Sequence, residues 1–520
     1  MTLDNFFEKK QEFACLVLIS CKSIHDELGY VMVRDLQSFL KTLEASGELR
    51  HINVEVDPYL EMGAIVDRIS RQPGGGSALM FNNVKGHTMP VVMNVFGSTK
   101  RIAMALNPGS KSLNLDDIVT RIDRLIQTAM PKGNANFFEK ISKLSFLSEI
   151  GSWMPKKVTK GSCQEVVWHG KDAALSRLPI LTTWPGDGGP FITLGLSHTI
   201  LNNGQRNMGL YRLQKHDEHT LGFHVQMHHD GAKVCHRRYN AGGRVPIAVS
   251  FGGDPALTYA ATAPLPPFLS EIMFAGFLRG KGIDMVRCLT NDIEVPADSE
   301  IIIEGWINPE ELRKEGPFGD HTGYYSLADT YPVIHVEVIT HRFNPVFPAT
   351  IVGRPPKEDS YLGLATERIF LPFLKMLLPE IVDIHLPPVS GFHNLVIVAI
   401  RKEFPGHPQK VMNAIWGIGQ LMFSKVIVVV DHDINPNDIT EVMFRASSNI
   451  DPRRDLLFTD GPLDVLDHSS SRFSFGSKVG IDATRKSFKL DNFSREWPQD
   501  LVFPDEIIKK INDKWEEYGF

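Results

Sequence analysis

The feature that most constrains the fold of this chain is a change of strand pattern along its length. From Val166 to about residue 342, short apolar runs are broken by Gly and Pro, as at residues 191–195. Many short strands separated by such turns predict a barrel-like β domain. Beyond residue 345, helical patterns alternate with continuous apolar runs at 395–400 and 426–430, which are typical of buried parallel strands. This second pattern predicts an α/β domain.

The patterns divide the chain into five predicted parts: an extension, an N-terminal α/β region, a β domain, a C-terminal α/β domain and a terminal amphipathic helix. Their bounds are 1–33, 34–155, 156–342, 343–500 and 501–520. A chain of 520 residues is long enough for several hydrophobic cores. The predicted fold class is therefore a multi-domain protein of α/β and β type.

Local signals predict individual elements in the N-terminal region. Asp35 is placed to cap a helix whose apolar face carries four residues, Leu36, Phe39, Leu40 and Leu43. Apolar runs predict strands at 78–81 and 91–93, and residues 130–162 have the mixed Pro, Gly, Lys and Ser composition of a linker.

Three further helices are predicted in the rest of the chain. One begins at Pro267, one spans Glu367–Leu378, and one follows Pro504. The last carries an apolar stripe formed by Ile508, Ile511, Trp515 and Tyr518. Such a helix either covers its own domain or docks on a neighbouring subunit.

Composition excludes several classes of protein. The net charge of −6 does not indicate a nucleic-acid binder, and no apolar run approaches the roughly 20 residues of a membrane span. The N-terminal segment lacks the pattern of a secretory signal, so a cytoplasmic location is expected. The five cysteines are scattered, which favours reduced thiols over a disulfide framework or a zinc site.

Residues 314–325 form the segment with the strongest chemical signal. Three glycines and one proline exclude a regular helix or a central strand, and they hold Glu315 and Asp320 close together beside His321. Carboxylates held close together repel each other, so one tends to keep its proton near neutral pH and can act as a general acid if an Arg supplies the counter-charge. A surface loop with ordinary solvated acids is the alternative interpretation.

The β domain contains candidate ligands for a metal and for an anion. Asn207 offers a carbonyl oxygen, Arg212 can clamp a carboxylate, and a cluster of His residues follows at 224–229. With Glu271 these groups make a mixed nitrogen and oxygen set, which suits Mn²⁺ or Mg²⁺. The alternatives are solvated histidines and a carboxylate favoured by a helix N-terminus.

Five motifs occur in one order along the chain, at 207–212, 269–271, 315–324, 353–356 and 476–484. Together they resemble the UbiD family, whose members are reversible decarboxylases of aromatic and unsaturated acids that depend on prenylated FMN. The resemblance extends from about Arg34 to about Lys486.

The resemblance implies a split β-barrel domain that binds prenylated FMN, with Mn²⁺ at the flavin phosphate and K⁺ nearby. The residues that match metal ligands are Asn207, His228 and Glu271, with His229 as the alternative to His228. The residues that match or neighbour cofactor contacts are Leu210, Tyr211, Arg212, His224, Val225, Gln226, His229, Asp230 and Lys425. The catalytic positions are matched by Arg212, Glu315 and Asp320.

The resemblance also implies partners. These are an aromatic carboxylic acid as substrate, a flavin prenyltransferase as the source of the cofactor, and further copies of the chain in a dimer or hexamer. The length of the chain and its C-terminal segment most resemble those of the family members in the ubiquinone pathway. This likeness implies a 3-polyprenyl-4-hydroxybenzoate as substrate and a peripheral association with the inner membrane. This chain has His224-Val225 where those members have Arg-Trp, and His229 where they have Arg. The family's benzoate decarboxylases have a His-rich strand there, so 4-hydroxybenzoate, naphthoate or phthaloyl-type acids are the alternative substrates.

The implied chemistry gives each catalytic residue a role. Arg212 is expected to orient the carboxylate and to hold Glu315 and Asp320 in different protonation states, one charged and one poised to donate. Exchanging either acid for its amide is expected to lower turnover about 10²-fold or more and to leave folding and flavin binding nearly intact. Two other classes fit the sequence less well. An ordinary flavin oxidoreductase would need a nicotinamide site, and the chain has no Gly-x-Gly-x-x-Gly fingerprint; a non-catalytic carboxylase subunit would not need Arg212, Glu315 and Asp320 together.

Overall fold

The structure, a computed structural model, describes residues 33–107, 115–129, 148–200, 204, 206–225, 243–265 and 269–519. Its first helix, α1, spans Leu36–Ala45 and begins at the predicted cap. Asp35 Oδ1 accepts the N–H of Ser38 at 2.8 Å, and Ser38 Oγ accepts the N–H of Asp35 at 3.0 Å. The four predicted apolar residues of this helix are all buried, so the prediction of α1 is confirmed.

A sheet of four strands follows, in the order β1-β2-β3-β16. The strands are Leu49–Ile52, Ala78–Phe81, Val91–Met93 and Phe347–Pro348. The helices of this region are α2, α3 and α4, at Glu61–Ser70, Thr99–Leu106 and Asp116–Ala129. The two predicted strands are confirmed, and the fourth strand comes from a segment more than 250 residues further along the chain, which ties the N-terminal region to the rest of the molecule.

The central sheet has nine strands and the form of a curled half-barrel. Its path is β6-β9-β10-β15-β14-β11-β7-β8, with β5 paired to β15. In chain order from β5 to β11 the strands are Val166–His169, Phe191–Ile192, Leu196–Ile200, Arg206–Leu210, Leu213–Lys215, Thr220–Phe223 and Val245–Phe251. Strands β14 (Ile301–Glu315) and β15 (Asp329–His341) form a long antiparallel hairpin. The predicted β domain is thereby confirmed as a class of fold.

Both faces of the central sheet are buried. Along β8, Met208 packs into a core shared with the helices, whereas Asn207 and Gly209 lie on the opposite face because side chains alternate along a strand. The helices on the first side are α5 (Pro255–Ala260) and α6 (Glu271–Arg279). Helix α6 begins after Ser270 in the structure, later than the predicted start at Pro267, a residue outside the described ranges.

A small sheet with the order β13-β12-β4 corrects the prediction for residues 130–162. Strand β4 (Lys156–Val158) pairs in parallel with β12 (Asp284–Arg287), and β13 is Glu294–Pro296. The linker prediction is therefore wrong for residues 156–158, because backbone pairing with a distant strand orders a segment whose local composition favours a loop.

The C-terminal part is a five-stranded sheet in the order β17-β18-β19-β21-β20, with parallel strands at its centre. Its strands are Ile381–His385, Leu395–Ile400, Val426–Asp431, Leu456–Pro462 (β20) and Phe475–Asp482 (β21). Its helices α7 to α11 are Glu358–Leu377, His407–Trp416, Ile439–Ser448, Pro452–Asp455 and Phe488–Asp491. The predicted parallel strands are confirmed, and helix α7 begins nine residues before its predicted start.

The terminal helix α12 (Asp505–Asp513) buries none of its residues. Ile508 is 43% exposed, Trp515 is 51% exposed and Tyr518 is 50% exposed. The sequence left two alternatives for the apolar stripe, covering its own domain or docking on a neighbouring subunit, and both stay predictions. No helix among the described residues is long and apolar enough to cross a membrane.

Candidate active site

The loop between β14 and β15 holds the two predicted acids. Glu315 is the last residue of β14 and pairs with Asp329, the first residue of β15, so both ends of the loop are fixed by the sheet. Gly316 has φ of +87°, which favours glycine. A Cβ at Gly319 would lie 2.2 Å from a ring carbon of Trp184, so this position has no room for a side chain.

Two side chains outside the loop bind its backbone. Asp187 Oδ1 accepts the N–H of Gly319 at 2.9 Å, and Gln214 Oε1 accepts the N–H of Gly316 at 2.8 Å. The sequence analysis did not identify Asp187 or Gln214, because each acts on a segment more than 100 residues away and no local pattern marks that contact.

Arg212 lies between β8 and β9 and joins the two acids. Its Nε and Nη2 donate to Glu315 at 2.8 and 3.2 Å, its Nη1 donates to Asp320 at 2.5 Å, and Nη2 also donates to Ser326 at 3.1 Å. The side chain of Glu315 is 0% exposed, and those of Arg212 and Asp320 are 8% and 10% exposed. The structure thus brings the three predicted catalytic residues together in a buried cluster and adds Ser326, which sequence reasoning missed.

The ionisation of this cluster differs from the prediction. Burial alone would raise the pKa of Glu315, but hydrogen bonds from His224 and Arg212 outweigh it, and the pKa is lowered. Burial would also raise the pKa of Asp320, but the hydrogen bond and charge of His321, followed by the charge of Arg212, outweigh burial and lower this pKa strongly. The prediction that one acid keeps its proton is therefore wrong for this state of the protein: the Arg neutralises the mutual repulsion of the acids, and both are carboxylates.

His224 is in contact with the cluster. Its Nδ1 lies 3.1 Å from Glu315 Oε2, and its ring packs against Tyr331 with centroids 4.4 Å apart. Burial lowers the pKa of His224, and its Nε2 has no hydrogen-bond partner among the described residues. Val225 follows and packs against the core of the half-barrel. The predicted cofactor residues Gln226, His229 and Asp230, and the predicted metal ligand His228, lie outside the described residues.

A strip of polar side chains on β7 and β8 could hold a polar cofactor. Ser197 pairs with Gly209 and Thr199 with Asn207, so all four lie on one face of the sheet. Ser197 Oγ, Thr199 Oγ1 and Asn207 Nδ2 are buried and have no hydrogen-bond partner among the described residues. Buried polar groups usually have partners, so this strip fits a bound group with polar atoms, as prenylated FMN and its metal would provide.

The other predicted ligands lie on elements that pack on β8 or at a cavity. Glu271 is the first residue of α6, which packs on β8, and Leu210 packs towards the same helices. The ring of Tyr211 occupies the space beside Gly209, where a Cβ would lie 2.4 Å from it. No cluster of three or more His, Cys, Asp or Glu residues is found within the described ranges, which exclude His228. The metal set therefore stays a prediction.

A cavity of about 590 Å³ lies between the catalytic loop and the C-terminal sheet. His321 of the loop, Arg354, His393, Lys425 and Asp467 are among its lining residues. Lys425, the predicted phosphate contact, lies 2.7 Å from Asp467 and donates to Ser469 at 2.5 Å. The lining of the cavity therefore includes charged groups beside apolar ones such as Pro355 and Val389, and the cavity adjoins Asp320 through His321.

Comparison with known proteins agrees with this geometry. Three domain models match the chain: the N-terminal, Rift-related and C-terminal domains of 3-octaprenyl-4-hydroxybenzoate carboxy-lyase, over residues 40–122, 156–355 and 360–483. A protein of Aquifex aeolicus is 46% identical over 494 residues, which are 95% of this chain and 100% of that protein.

Two solved structures are similar over nearly the whole chain. The closed form of vanillic acid decarboxylase from Sedimentibacter hydroxybenzoicus has a TM-score of 0.80 and 27% identity, and covers 93% of this chain and 98% of its own. The UbiD-class enzyme HmfF of Pelotomaculum thermopropionicum, in complex with FMN, has a TM-score of 0.75 and 28% identity, and covers 92% of this chain and 99% of its own.

A half-barrel with a buried Arg–carboxylate cluster, in a chain that matches decarboxylases from end to end, defines an enzyme of the carboxy-lyase class. More narrowly, the chain belongs to the UbiD family.

Proposed function

We propose that this enzyme catalyses the reversible, non-oxidative decarboxylation of an aromatic acid with prenylated FMN as its cofactor. The observation that carries the proposal is the buried contact of Arg212 with Glu315 and Asp320 beside the polar strip of β7 and β8. Loss of CO₂ from an aryl acid leaves a carbanion on an sp² carbon, and no protein side chain can accept those electrons. Prenylated FMN supplies that electron sink when bound, and HmfF has been seen with this cofactor.

The side chains of the cluster have separate roles in this proposal. The guanidinium of Arg212 orients the substrate carboxylate, and Asp320 returns a proton to the ring carbon after CO₂ leaves. Burial of the cluster excludes water, which strengthens each of these interactions. Asn207, Glu271 and His228 would hold Mn²⁺, with K⁺ as a second cation, and Lys425 would supply a positive charge to the flavin phosphate.

Two substrate classes follow from different observations. Overall similarity supports a 3-polyprenyl-4-hydroxybenzoate, as in ubiquinone biosynthesis. The lining of the cavity includes the cations Arg354 and Lys425 beside apolar residues such as Pro355 and Val389. These cations support a small polar aromatic acid, because they would attract its charged and polar groups. A panel of 3-octaprenyl-4-hydroxybenzoate, 4-hydroxybenzoate, 3,4-dihydroxybenzoate and 2-naphthoate distinguishes the two classes.

The test uses protein expressed with and without a flavin prenyltransferase. Mass spectrometry of the bound cofactor and NMR of ring-hydrogen exchange in D₂O with the corresponding phenols and naphthalene measure loading and chemistry. Loaded enzyme should exchange the hydrogen of at least one product, and Asp320→Asn should slow exchange about 10²-fold or more. Glu311→Gln is the matched control, since Glu311 lies on the same strand as Glu315 but pairs with His335 outside the cluster. Full activity in protein free of flavin would refute the proposal.

A further inference from the structure

A buried row of titratable groups extends from the catalytic cluster into the C-terminal part of the chain. Asp320 binds Arg212 through Oδ2 and presents Oδ1 to His321, whose Nδ1 lies 3.0 Å away. The other ring nitrogen of His321, Nε2, lies 3.3 Å from Nε2 of His393. The row therefore reaches from the catalytic loop to a residue just before β18, and both histidines line the cavity.

The surroundings of His321 favour a charged ring. Asp320 contacts it directly, and Asp359 at the start of α7 and Asp464 beyond β20 contribute attraction. Burial opposes the charge, but these carboxylates outweigh it and raise the pKa of His321 to about 9. Burial and the neighbouring His321 lower the pKa of His393 to about 4, so His393 is neutral and can accept a hydrogen bond from His321.

Decarboxylation of a carboxylate consumes one proton per turnover, because the carboxylate group leaves as CO₂ and the ring carbon gains a hydrogen. In the structure neither Glu315 nor Asp320 holds that proton, since Arg212 and the histidines stabilise both as carboxylates. The nearest group that can hold it is the imidazolium of His321.

We propose that His321 stores the proton for the reaction and passes it through Asp320, and that His393 holds the ring of His321 in place by accepting the N–H at its Nε2. The N–H at Nδ1 of His321 breaks as an O–H forms at Oδ1 of Asp320, and that O–H then breaks as the new C–H bond forms at the ring carbon. His321 is then neutral, with its remaining proton at Nε2, and its Nδ1 takes up one proton from water of the cavity that it lines. One proton enters from water and one leaves on the product, so the sequence balances in both directions.

Two features of His393 support its place in this row. Its Nδ1 is buried and has no hydrogen-bond partner among the described residues, so it is available to cavity water. Its Nε2 lies 3.8 Å from Asp464, too far for a hydrogen bond that would hold the ring away from His321. His321 acts through Asp320 and is a positioning residue, not a catalytic one.

The first test does not depend on activity, although the inference rests on the proposed function. Protein labelled with ¹³C at histidine Cε1 is titrated by NMR as the full chain. One resonance should titrate near pH 9, disappear in His321→Gln, and move towards the ordinary value of about 6.5 in Asp320→Asn. The absence of any histidine that titrates above pH 8 would overturn the proposal.

The second test measures proton transfer in the loaded enzyme with 3,4-dihydroxybenzoate and catechol as probes. In His321→Gln, which can still donate a hydrogen bond to Asp320, kcat and D₂O exchange should fall at least about tenfold while KM changes little. His393→Gln should slow exchange less, and imidazole should restore part of the exchange in His321→Ala. The control is His335→Gln, which removes a histidine–carboxylate pair outside the site.

The results of these tests distinguish failure of the proposed decarboxylase function from failure of the proposed role of His321. If the parent enzyme exchanges no probe of the wider panel, the proposed function fails, and the NMR titration still decides whether His321 stores a proton. If the parent exchanges and His321→Gln exchanges equally fast with the same pH profile, the relay is wrong while the proposed function stands.

Discussion

Glu315→Gln should destabilise the protein as well as inactivate it. Glu315 is 0% exposed and accepts two hydrogen bonds from Arg212 and one from His224. The amide keeps the shape, but it removes the charge and turns an N–H group towards the guanidinium. Breaking a buried ion pair costs about 3–5 kcal/mol. Because Arg212 keeps Asp320 and Ser326 as partners, we expect a loss at the lower end, about 3 kcal/mol.

The assay is urea denaturation of the cofactor-free protein, followed by fluorescence and circular dichroism. Glu311→Gln is the control, because Glu311 is a partly exposed acid on the same strand and pairs of that kind contribute about 0–1 kcal/mol. If the free energy of unfolding of Glu315→Gln lies within about 0.5 kcal/mol of the parent value, the charge of Glu315 does not stabilise the buried Arg212, and the account of the cluster is wrong. The sequence alone predicted nearly intact folding for this variant, so the two arguments give opposite results in one experiment.

Three further predictions concern other parts of the site. Gly319→Ala should cost about 1–3 kcal/mol and reduce turnover, because a Cβ would lie 2.2 Å from Trp184; denaturation and kinetics measure both, and parental values would contradict the packing argument. Glu271→Ala and Asn207→Ala should each lower metal content and flavin occupancy, measured by elemental analysis and absorbance, and unchanged metal in both would refute the ligand assignment. The pKa of His321 is raised from 6.5 to about 9, so protonation of this residue stabilises the folded protein by about 3 kcal/mol. This contribution is fully present below pH 6.5 and is lost as pH rises through 9. Urea denaturation of His321→Gln should therefore show a loss of stability at pH 6 but not at pH 10.

Sequence patterns predicted those parts of the fold whose signal is local. The runs at 395–400 and 426–430 are apolar throughout because parallel strands are buried on both faces, and both are strands of the C-terminal sheet. Arg212, Glu315 and Asp320 were identified because their motifs are recognisable along the chain, and the structure brings them together.

Contacts between distant segments could not be predicted in this way. Asp187 and His393 lie in stretches without a distinctive pattern, and their importance comes from the loop that folds against them. The lowered pKa values of the two acids had the same origin, since the sequence showed two like charges but not the geometry of the Arg between them. Strand β4 is a third case, because its partner is more than 100 residues away.

The hydrogen bonds of Arg212 have a consequence for how a substrate enters. A guanidinium has five N–H groups, and four bonds to Glu315, Asp320 and Ser326 already occupy it. An incoming acid can therefore bind it with two prongs only by displacing a resident partner, so association is an exchange of ligands around one cation. Such an exchange gains little net affinity, and it leaves the acid loosely held at the moment when its carboxyl group must depart. Enzymes of this arrangement should show modest affinity for their acids and competitive inhibition by small carboxylates that never react.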